Sequence, residues 1–392
     1  MNKRSAPIQE TERISSLDMM RGFALFGILL ANSLHFQYGL FLIPDIHHFY
    51  PLGTLDKGAE MFIQLFATSS FYTLFSFLFG YGMASLKERL EQQQLPFGTL
   101  YWRRTLILLV VGLIHGLFIW DGDILFTYAL TAFVLFFFLK LKERGLLIWS
   151  IVLLFIMALS IAVPEDDSTT FDEQLLHYSI AEKETLSLKS YPDVVQFRLF
   201  SDPLGLGLIG DMIIHASAII SVLGMFLLGA FVARKKWLVH PLQYRSLLFR
   251  VWWITLLIGF PSKIIYLFND SYTYEMLHTT VGGPLVAMFY ASSIALLASS
   301  ARQSNILYAF TYVGRLSLTN YLLQSLVFTT IFYGYGFNLF GRIGIFTGLL
   351  LCFSFFTIQV LASKWWLNRF YIGPFEWGWR AGTYLRLPKL RR

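Results

Sequence analysis

The chain has few charged residues for its length. Only 14% of its 392 residues are charged, whereas 56% are hydrophobic, and the mean hydropathy is +0.57. A soluble domain of this size does not need so much apolar surface. The shortage of charge therefore excludes an ordinary soluble protein and favours a chain that resides in a lipid bilayer.

Cysteine is nearly absent, since Cys352 is the only one and lies in an apolar run. This excludes an intramolecular disulfide and a cysteine-based metal site. No two histidines have the i, i+4 spacing of a helix-borne metal site, so no metal is expected. The net charge of +7 is spread over short segments and the C-terminal tail. A nucleic-acid partner is therefore not expected either.

Long apolar runs recur along the whole chain, which is typical of membrane-spanning helices. Helices suit lipid because each satisfies its own backbone hydrogen bonds. We predict an all-α polytopic membrane bundle that forms a single integral membrane domain over residues 1–392, with the lipid bilayer as its surroundings. Segment 164–205 is too polar to span and is expected to form short surface helices in an extracytoplasmic loop. The ten predicted spans are 21–43, 58–83, 104–120, 123–140, 146–163, 206–233, 247–268, 276–298, 306–333 and 343–363.

Basic residues are distributed unevenly between the two sides of these spans. With the N-terminus inside, 24 of the 31 Lys and Arg residues fall in inner segments and five in outer segments. The positive-inside rule therefore predicts that both termini are cytoplasmic. The tail 364–392 interleaves tryptophan with cations, which is typical of the inner headgroup layer, and Gly373-Pro374 is expected to divide it.

The segment 104–128 holds the first group of candidate functional residues. An apolar helix carries His115 and then reverses through Asp121-Gly122-Asp123 into a second apolar helix, which predicts a tight helical hairpin. Ionisable groups are costly inside a membrane, so an imidazole and two carboxylates at one place indicate a functional site. Asp123 alone could instead cap the second helix.

The first span carries a second group, with Asp18 and Arg21 near its inner end. Arg21 and Asn32 are three helical turns apart, about 16 Å along the axis, and His35 lies close to the same face. One face therefore runs from a cation to an amide and an imidazole. Arg21 could also be a positive-inside anchor, and Asn32 could form an interhelical hydrogen bond.

The ninth span carries a third group, in which Ser317, Asn320 and Gln324 share one helix face. A single helix from Ser304 to Gly336 would be about 50 Å long, which exceeds the hydrocarbon thickness. A break near Gly314 is therefore expected, and it would place Arg315 near the inner end. There Arg315 could bind an anionic group such as phosphate, or anchor the chain to inner-leaflet lipid.

Several motifs in combination resemble the YeiB-like family of bacterial multi-pass membrane proteins. They cover nearly the whole chain, and the resemblance implies a multi-pass protein of the bacterial plasma membrane that has been loosely linked with transport. The matching segments are Arg13 with Leu17-Asp18 and Arg21-Gly22, Ile114-His115-Gly116, Trp120-Asp121-Gly122-Asp123, Val313-Gly314-Arg315 with Leu318 to Gln324, and Gly373-Pro374 with Glu376-Trp377 and Trp379-Arg380.

The first span also resembles, more distantly, the transmembrane acyltransferase superfamily, which includes the acyltransferase-3 and heparan-glucosaminide acetyltransferase groups. This resemblance implies transfer of an acyl group from cytoplasmic acyl-CoA to an acceptor at the far face. Arg21 matches the acyltransferase-3 pattern, but Asn32 stands where that pattern has histidine. The heparan-glucosaminide branch likewise has asparagine at this position.

Two functional hypotheses follow. In the first, Arg21 and Arg315 bind the phosphates of acyl-CoA or acetyl-CoA, and His115, oriented by Asp121 or Asp123, is the general base. Asn32 stabilises the oxyanion, and a small-molecule, glycan or lipid hydroxyl or amine is the acceptor. In the second, the protein is a transporter whose solute path is lined by His35, Ser317, Asn320 and Gln324, with His115 and the two carboxylates as a proton relay. A scaffold or signalling role is a third possibility.

Overall fold

The computed structural model describes residues 14–40, 46–163, 169–269, 271–299 and 305–392. The motif residue Arg13 lies outside these ranges. So do Lys3, Arg4 and Arg302, which are among the basic residues counted in the predicted inner segments, and the acidic residues 165–167 of the predicted loop. The described residues form a helical membrane bundle, which confirms the predicted fold class. Helices dominate because apolar runs flanked by polar turns leave the backbone no other way to satisfy its hydrogen bonds in lipid.

The first half of the chain contains seven helices and ends in a short 3₁₀ turn, Leu159–Ala162. Their bounds are α1 Ser15–Tyr38, α2 Ile46–Phe49, α3 Thr54–Phe66, α4 Ser70–Gln92, α5 Phe97–Phe118, α6 Leu125–Phe138 and α7 Glu143–Ala158.

The second half contains ten helices, of which α8 and α9 lie in the predicted loop 164–205. A 3₁₀ turn, Ile265–Phe268, extends α11, and a π-helical segment, Leu277–Gly282, joins α12 to α13. The bounds are α8 Thr169–Leu188, α9 Tyr191–Phe200, α10 Leu208–Lys235, α11 Arg245–Ile264, α12 Tyr272–Met276, α13 Gly283–Ala298, α14 Asn305–Arg315, α15 Ser317–Phe332, α16 Ile345–Arg369 and α17 Pro374–Tyr384.

Eight helical stretches of the described residues are long and apolar enough to cross a membrane. One of them, Thr54–Gln92, combines α3 and α4 across a break at 67–69 and extends well beyond the predicted span 58–83. α6 is a shorter apolar helix. The predicted span 306–333 is two helices, because the chain breaks at Leu316, two residues after the expected Gly314.

α1 lies at the centre of the bundle and packs against α3, α4, α13, α14, α15 and α16. Its most apolar stretch is 72% buried, whereas that of α7 is 11% buried. α14 approaches α1 very closely, since a β-carbon on Gly22 would lie 2.0 Å from the Phe310 carbonyl oxygen. Small residues allow such contact between membrane helices. The centre of the bundle is therefore built around the helix that carries Arg21, Asn32 and His35.

Candidate functional site

The predicted hairpin is present and holds His115 in contact with Asp123. α5 ends at Phe118 and α6 begins at Leu125, so six residues reverse the chain. The helices pack closely near the turn, where a β-carbon on Gly112 would lie 2.4 Å from the backbone nitrogen of Phe126. His115 Nδ1 lies 2.8 Å from Asp123 Oδ1, and His115 is 1% exposed. The imidazole and the carboxylate, eight residues apart in the chain, thus form a buried pair.

Asp123 also caps α6, so both interpretations of this residue describe real contacts. The backbone N–H of Phe126 donates to Asp123 Oδ2 at 2.7 Å. The Tyr321 hydroxyl donates to Asp123 Oδ1 at 3.3 Å and lies 3.3 Å from the backbone nitrogen of Ile124. Three helices, α5, α6 and α15, therefore supply contacts that fix one carboxylate, and a fixed carboxylate can hold the imidazole in one tautomer.

The contact geometry assigns a proton to Nδ1 of His115. Because Nδ1 faces a carboxylate, it donates, and Nε2 of the neutral ring then carries the lone pair. Nε2 is buried and makes no hydrogen bond among the described residues. A buried nitrogen acceptor without a partner is costly, and it is also the atom that a general base requires.

Asp121 does not contact His115 in the same way. Its Oδ1 lies 3.7 Å from Nε of Arg198 in α9, whose side chain is 2% exposed. Arg198 also donates to the Leu117 carbonyl at 3.5 Å. Of the two carboxylates proposed to orient His115, Asp123 makes the contact, while Asp121 ties the hairpin to α9.

A cavity of about 430 Å³ lies between α1, the break after α3, the hairpin turn, the π-helical segment and α15. Asn32, His35, Asp123 and Tyr321 all line it. His115 does not line the cavity but lies behind Asp123 and Tyr321, with its ring centroid 5.2 Å from that of Tyr321. The C-terminal end of α1 packs on the hairpin through Phe36, whose ring lies 4.4 Å from that of Trp120. Asn32 and Asp123, the partner of His115, thus line one cavity.

Polar side chains on the cavity face of α1 have hydrogen-bonding atoms that no neighbouring helix in the described part of the chain satisfies. Among the described residues Asn32 makes no interhelical hydrogen bond, and Nδ1 of His35 has no hydrogen-bond partner although it is buried. Both side chains therefore keep polar atoms for a ligand.

The opposite wall of the cavity contains polar residues that sequence analysis did not select. His278 in the π-helical segment faces the Gln64 carbonyl at 3.0 Å, and Glu275 lies beside it on the wall. Lys263 is fully buried next to this wall and donates to the Thr68 carbonyl at 2.7 Å and the Ser70 hydroxyl at 2.9 Å. Lys263 falls within the predicted span 247–268, and this was the sequence signal for the region. A buried charge in a membrane indicates a functional role or a specific partner.

Polar side chains of α15 form hydrogen bonds with residues of α16. The Asn320 amide donates to the Ser363 hydroxyl at 3.0 Å, and the Gln324 amide donates to Gln359 at 2.9 Å. Both acceptors are on α16. These residues and Ser317 are not on the wall of the cavity, so the predicted solute-binding face is instead a set of interhelical hydrogen bonds for Asn320 and Gln324.

Arg21 and Arg315 lie toward the same end of the bundle. Arg21 pairs with Asp18 at 3.0 Å. Gly314 packs on the Asp18 carbonyl, where a β-carbon would lie 1.9 Å from the oxygen, so α14 delivers Arg315 to the level of Asp18. Both cations therefore lie near one end of α1, while the cavity lies farther along this helix.

The cavity offers amide, imidazole, phenol and carboxylate groups on a mostly apolar wall. In the described part of the chain, no three His, Cys, Asp or Glu side chains are placed to hold a metal ion together.

Comparisons with known proteins agree on one family. The family model described as "Protein of unknown function (DUF418)" matches residues 232–386. "Uncharacterized protein YxaH" of Bacillus subtilis (strain 168) is 35% identical over 97% of this chain and 96% of its own length. "Uncharacterized protein YeiB" of Escherichia coli (strain K12) is 29% identical over 95% of this chain and 96% of its own. No solved structure matches. The chain therefore belongs to the YeiB-like DUF418 family of multi-pass membrane proteins.

Proposed function

We propose that the protein is a membrane-embedded acyltransferase of the bacterial plasma membrane. It would move an acyl group from cytoplasmic acyl-CoA or acetyl-CoA to a hydroxyl or amine acceptor, a small molecule, glycan or lipid, that enters the cavity from the other side. The single observation that supports this most is the buried His115–Asp123 pair, whose Nε2 is unpartnered, beside a cavity that also exposes Asn32.

Each side chain has a separate role in the proposed acyl transfer. His115 Nε2 takes the proton of the acceptor hydroxyl as its oxygen attacks the thioester carbonyl, while Asp123 holds Nδ1–H and stabilises the imidazolium. The Asn32 amide donates to the carbonyl oxygen as negative charge develops. When the carbon–sulfur bond breaks, the proton passes from His115 to the departing thiolate, so the products are the ester and free CoA. His35 lies one turn from Asn32 and would position the acceptor.

Access to His115 is the demanding step of this mechanism. His115 does not line the cavity and Asp123 occupies the Nδ1 edge of its ring, so the acceptor must pass Asp123 and Tyr321 on the cavity wall to reach Nε2. The Tyr321 hydroxyl contacts Asp123 at 3.3 Å, a long hydrogen bond that a bound hydroxyl could replace.

The test uses purified protein in nanodiscs with radiolabelled acetyl-CoA or longer acyl-CoA and a panel of hydroxyl and amine acceptors. We expect acceptor-dependent CoA release that His115→Ala lowers by about 10²–10⁴-fold. His240→Ala removes an exposed imidazole and is the matched control, which should equal wild type. His35→Ala should raise the acceptor KM more than it lowers kcat. Release that is insensitive to His115→Ala would overturn the proposal.

A transporter is the second candidate, and one observation favours it. Two interrupted helical segments, the break at 67–69 and the π-helical segment 277–282, flank the cavity. Interrupted membrane helices at a cavity are typical of solute sites in transporters. Solute flux in sealed vesicles, with no CoA release under any acceptor, would favour this function over acyl transfer.

A further inference from the structure

Three arginines from three helices gather where α17 packs on α4 and α5. They are Arg89 of α4, Arg104 of α5 and Arg380 of α17, and we refer to them as the arginine cluster. The charged groups that act electrostatically on Arg104 are Arg380, Arg21 and Arg89, and the remaining neighbour is the Tyr384 phenol. Like charges repel each other, so placing these arginines together costs electrostatic free energy.

The acidic residues of α4 and α17 make contacts with other residues. α4 carries Glu88, which pairs with Lys236 at 3.1 Å, and Glu91, which pairs with Lys87 at 2.7 Å. α17 carries Glu376, which faces α15, and the sequence of α5 contains no acid. The nearest acid on α1, Asp18, pairs with Arg21.

Several guanidinium nitrogens in the cluster are buried and have no hydrogen-bond acceptor among the described residues. They are Nε and Nη1 of Arg89 and Nε of Arg104. A buried N–H of a charged group that lacks an acceptor is expensive to retain. Three such atoms on two neighbouring arginines therefore point to an acceptor that the described part of the chain does not supply.

α17 fixes the cluster in one orientation. The Arg104 guanidinium stacks 3.8 Å from the centroid of the Trp379 ring, and the Trp379 indole N–H donates to the Arg104 carbonyl at 3.0 Å. Arg89 Nη2 donates to the Tyr384 hydroxyl at 3.2 Å. Stacking occupies the flat face of a guanidinium and leaves its N–H edge available, which is the edge that binds phosphate in a bidentate manner.

We propose that the arginine cluster binds a phosphate or diphosphate group of a ligand. The cluster lies near Arg21, at the predicted cytoplasmic mouth of the bundle. When the ligand is acyl-CoA, this inference rests on the proposed function and extends it. It adds Arg89, Arg104 and Arg380 to the phosphate-binding residues Arg21 and Arg315. The same chemistry would also bind the headgroup of an anionic phospholipid, so the two sources need separate arms.

The first arm measures binding of CoA and of inorganic pyrophosphate by calorimetry, with protein in nanodiscs of phosphatidylcholine alone. We expect saturable binding that Arg89→Gln and Arg104→Gln each weaken about tenfold or more, since a charge-assisted hydrogen bond is lost. Arg250→Gln removes an exposed cation from the inner end of α11 and should leave the affinity unchanged. Arg89→Gln keeps the Arg104–Trp379 stack, so it tests the site even if Arg104→Gln disturbs α17.

The second arm measures phosphatidylglycerol retained after detergent purification, by mass spectrometry of the same variants. Cluster-dependent binding of CoA supports a soluble donor, and cluster-dependent retention of phosphatidylglycerol alone supports a lipid headgroup at the same phosphate site. If neither ligand depends on Arg89 or Arg104, the proposal is overturned. Both arms measure binding and not catalysis, so His115→Ala should bind these ligands as well as the wild-type protein does. Failure of acyl transfer can therefore be distinguished from failure of this binding site.

Discussion

At the scale of single residues, Asp123 has two roles that substitution can separate. Asp123→Asn keeps an oxygen for the Phe126 N–H, so the α6 cap survives, but a neutral amide cannot stabilise the imidazolium of His115. We expect CoA release to fall on the order of 10²–10⁴-fold with little change in thermal stability. Asp123→Ala should lose the same activity and also about 1 kcal/mol of stability with the cap.

Asp121→Asn is the matched control for this comparison. It removes a carboxylate of the same hairpin that pairs with Arg198 and not with His115. Activity assays and thermal unfolding of the three variants together give the result. Wild-type activity in Asp123→Asn would mean that Asp123 is a helix cap only.

Glu376 is a second residue whose role follows from its contacts. It accepts from the backbone N–H groups of Leu318 and Thr319 at 2.7 and 3.0 Å, and so caps α15 from α17. Burial raises the pKa of the Glu376 carboxyl, although the hydrogen bonds from Thr319 and Leu318 oppose the shift. The folded protein therefore holds this proton to a higher pH than the unfolded chain does.

The sign of the pH dependence follows from that difference. Between the ordinary carboxyl pKa and the raised one, the folded state binds more protons, so the free energy of unfolding falls as pH rises. Glu376→Gln should flatten this slope, measured by tryptophan fluorescence during thermal unfolding in detergent. Glu184→Gln, on an exposed position of α8, should keep the wild-type slope. An unchanged slope in Glu376→Gln would show that this carboxyl does not control it.

At the scale of helices, the break between α3 and α4 is stabilised by side chains from other helices. Two C-terminal carbonyls of α3 and one in the break receive donors: His278 donates at Gln64, Tyr290 at Phe66 and Lys263 at Thr68. Ser69 occupies the left-handed region with φ of 61°. Helix ends inside a membrane must be satisfied by such partners.

Lys263→Met tests this arrangement because methionine keeps the length of the side chain without its donor. The Thr68 carbonyl and Ser70 hydroxyl would lose their partner, and we expect a loss of about 1–3 kcal/mol in thermal unfolding experiments. Lys57→Met removes an exposed lysine from α3 and should have little effect. Equal stability of the two variants would contradict the role assigned to Lys263.

The sequence predicted the elements whose signals are local. The hairpin follows from Asp121-Gly122-Asp123, and the break near Arg315 follows from a run that is too long for the bilayer. The break at 67–69 contains no glycine or proline that would predict it from the sequence. The donors that stabilise it lie about 200 residues away in the chain. The capping of α15 by Glu376 and the pairing of Asp121 with Arg198 are tertiary in the same way.

The candidate site was predicted in part for the same reason. Helical spacing placed Asn32 and His35 on one face, and both line the cavity. Spacing also grouped Ser317, Asn320 and Gln324, but it cannot tell a cavity from a neighbouring helix, and Asn320 and Gln324 bind α16. Tyr321, within that same run, is the member of α15 that reaches the cavity and Asp123.

At the scale of the whole molecule, the proposed chemistry requires two faces with different access. The cavity lies toward the hairpin turn and the C-terminal end of α1, while the arginine cluster lies where α4, α5 and α17 meet. A soluble donor from the cytoplasm can serve this arrangement only if the cluster faces inward. The excess of Lys and Arg on predicted inner segments predicts that orientation.

Cysteine labelling tests the orientation, because the only native cysteine, Cys352, is fully buried. Gln92→Cys marks the turn between α4 and α5, and Glu184→Cys marks α8; both positions are exposed. In right-side-out vesicles, a membrane-impermeant maleimide should label Glu184→Cys at once and Gln92→Cys only after permeabilisation. The unsubstituted protein supplies the background. The reverse pattern would place Arg89, Arg104 and Arg380 outside, away from cytoplasmic acyl-CoA, and would exclude the proposed donor even if the phosphate site itself were real.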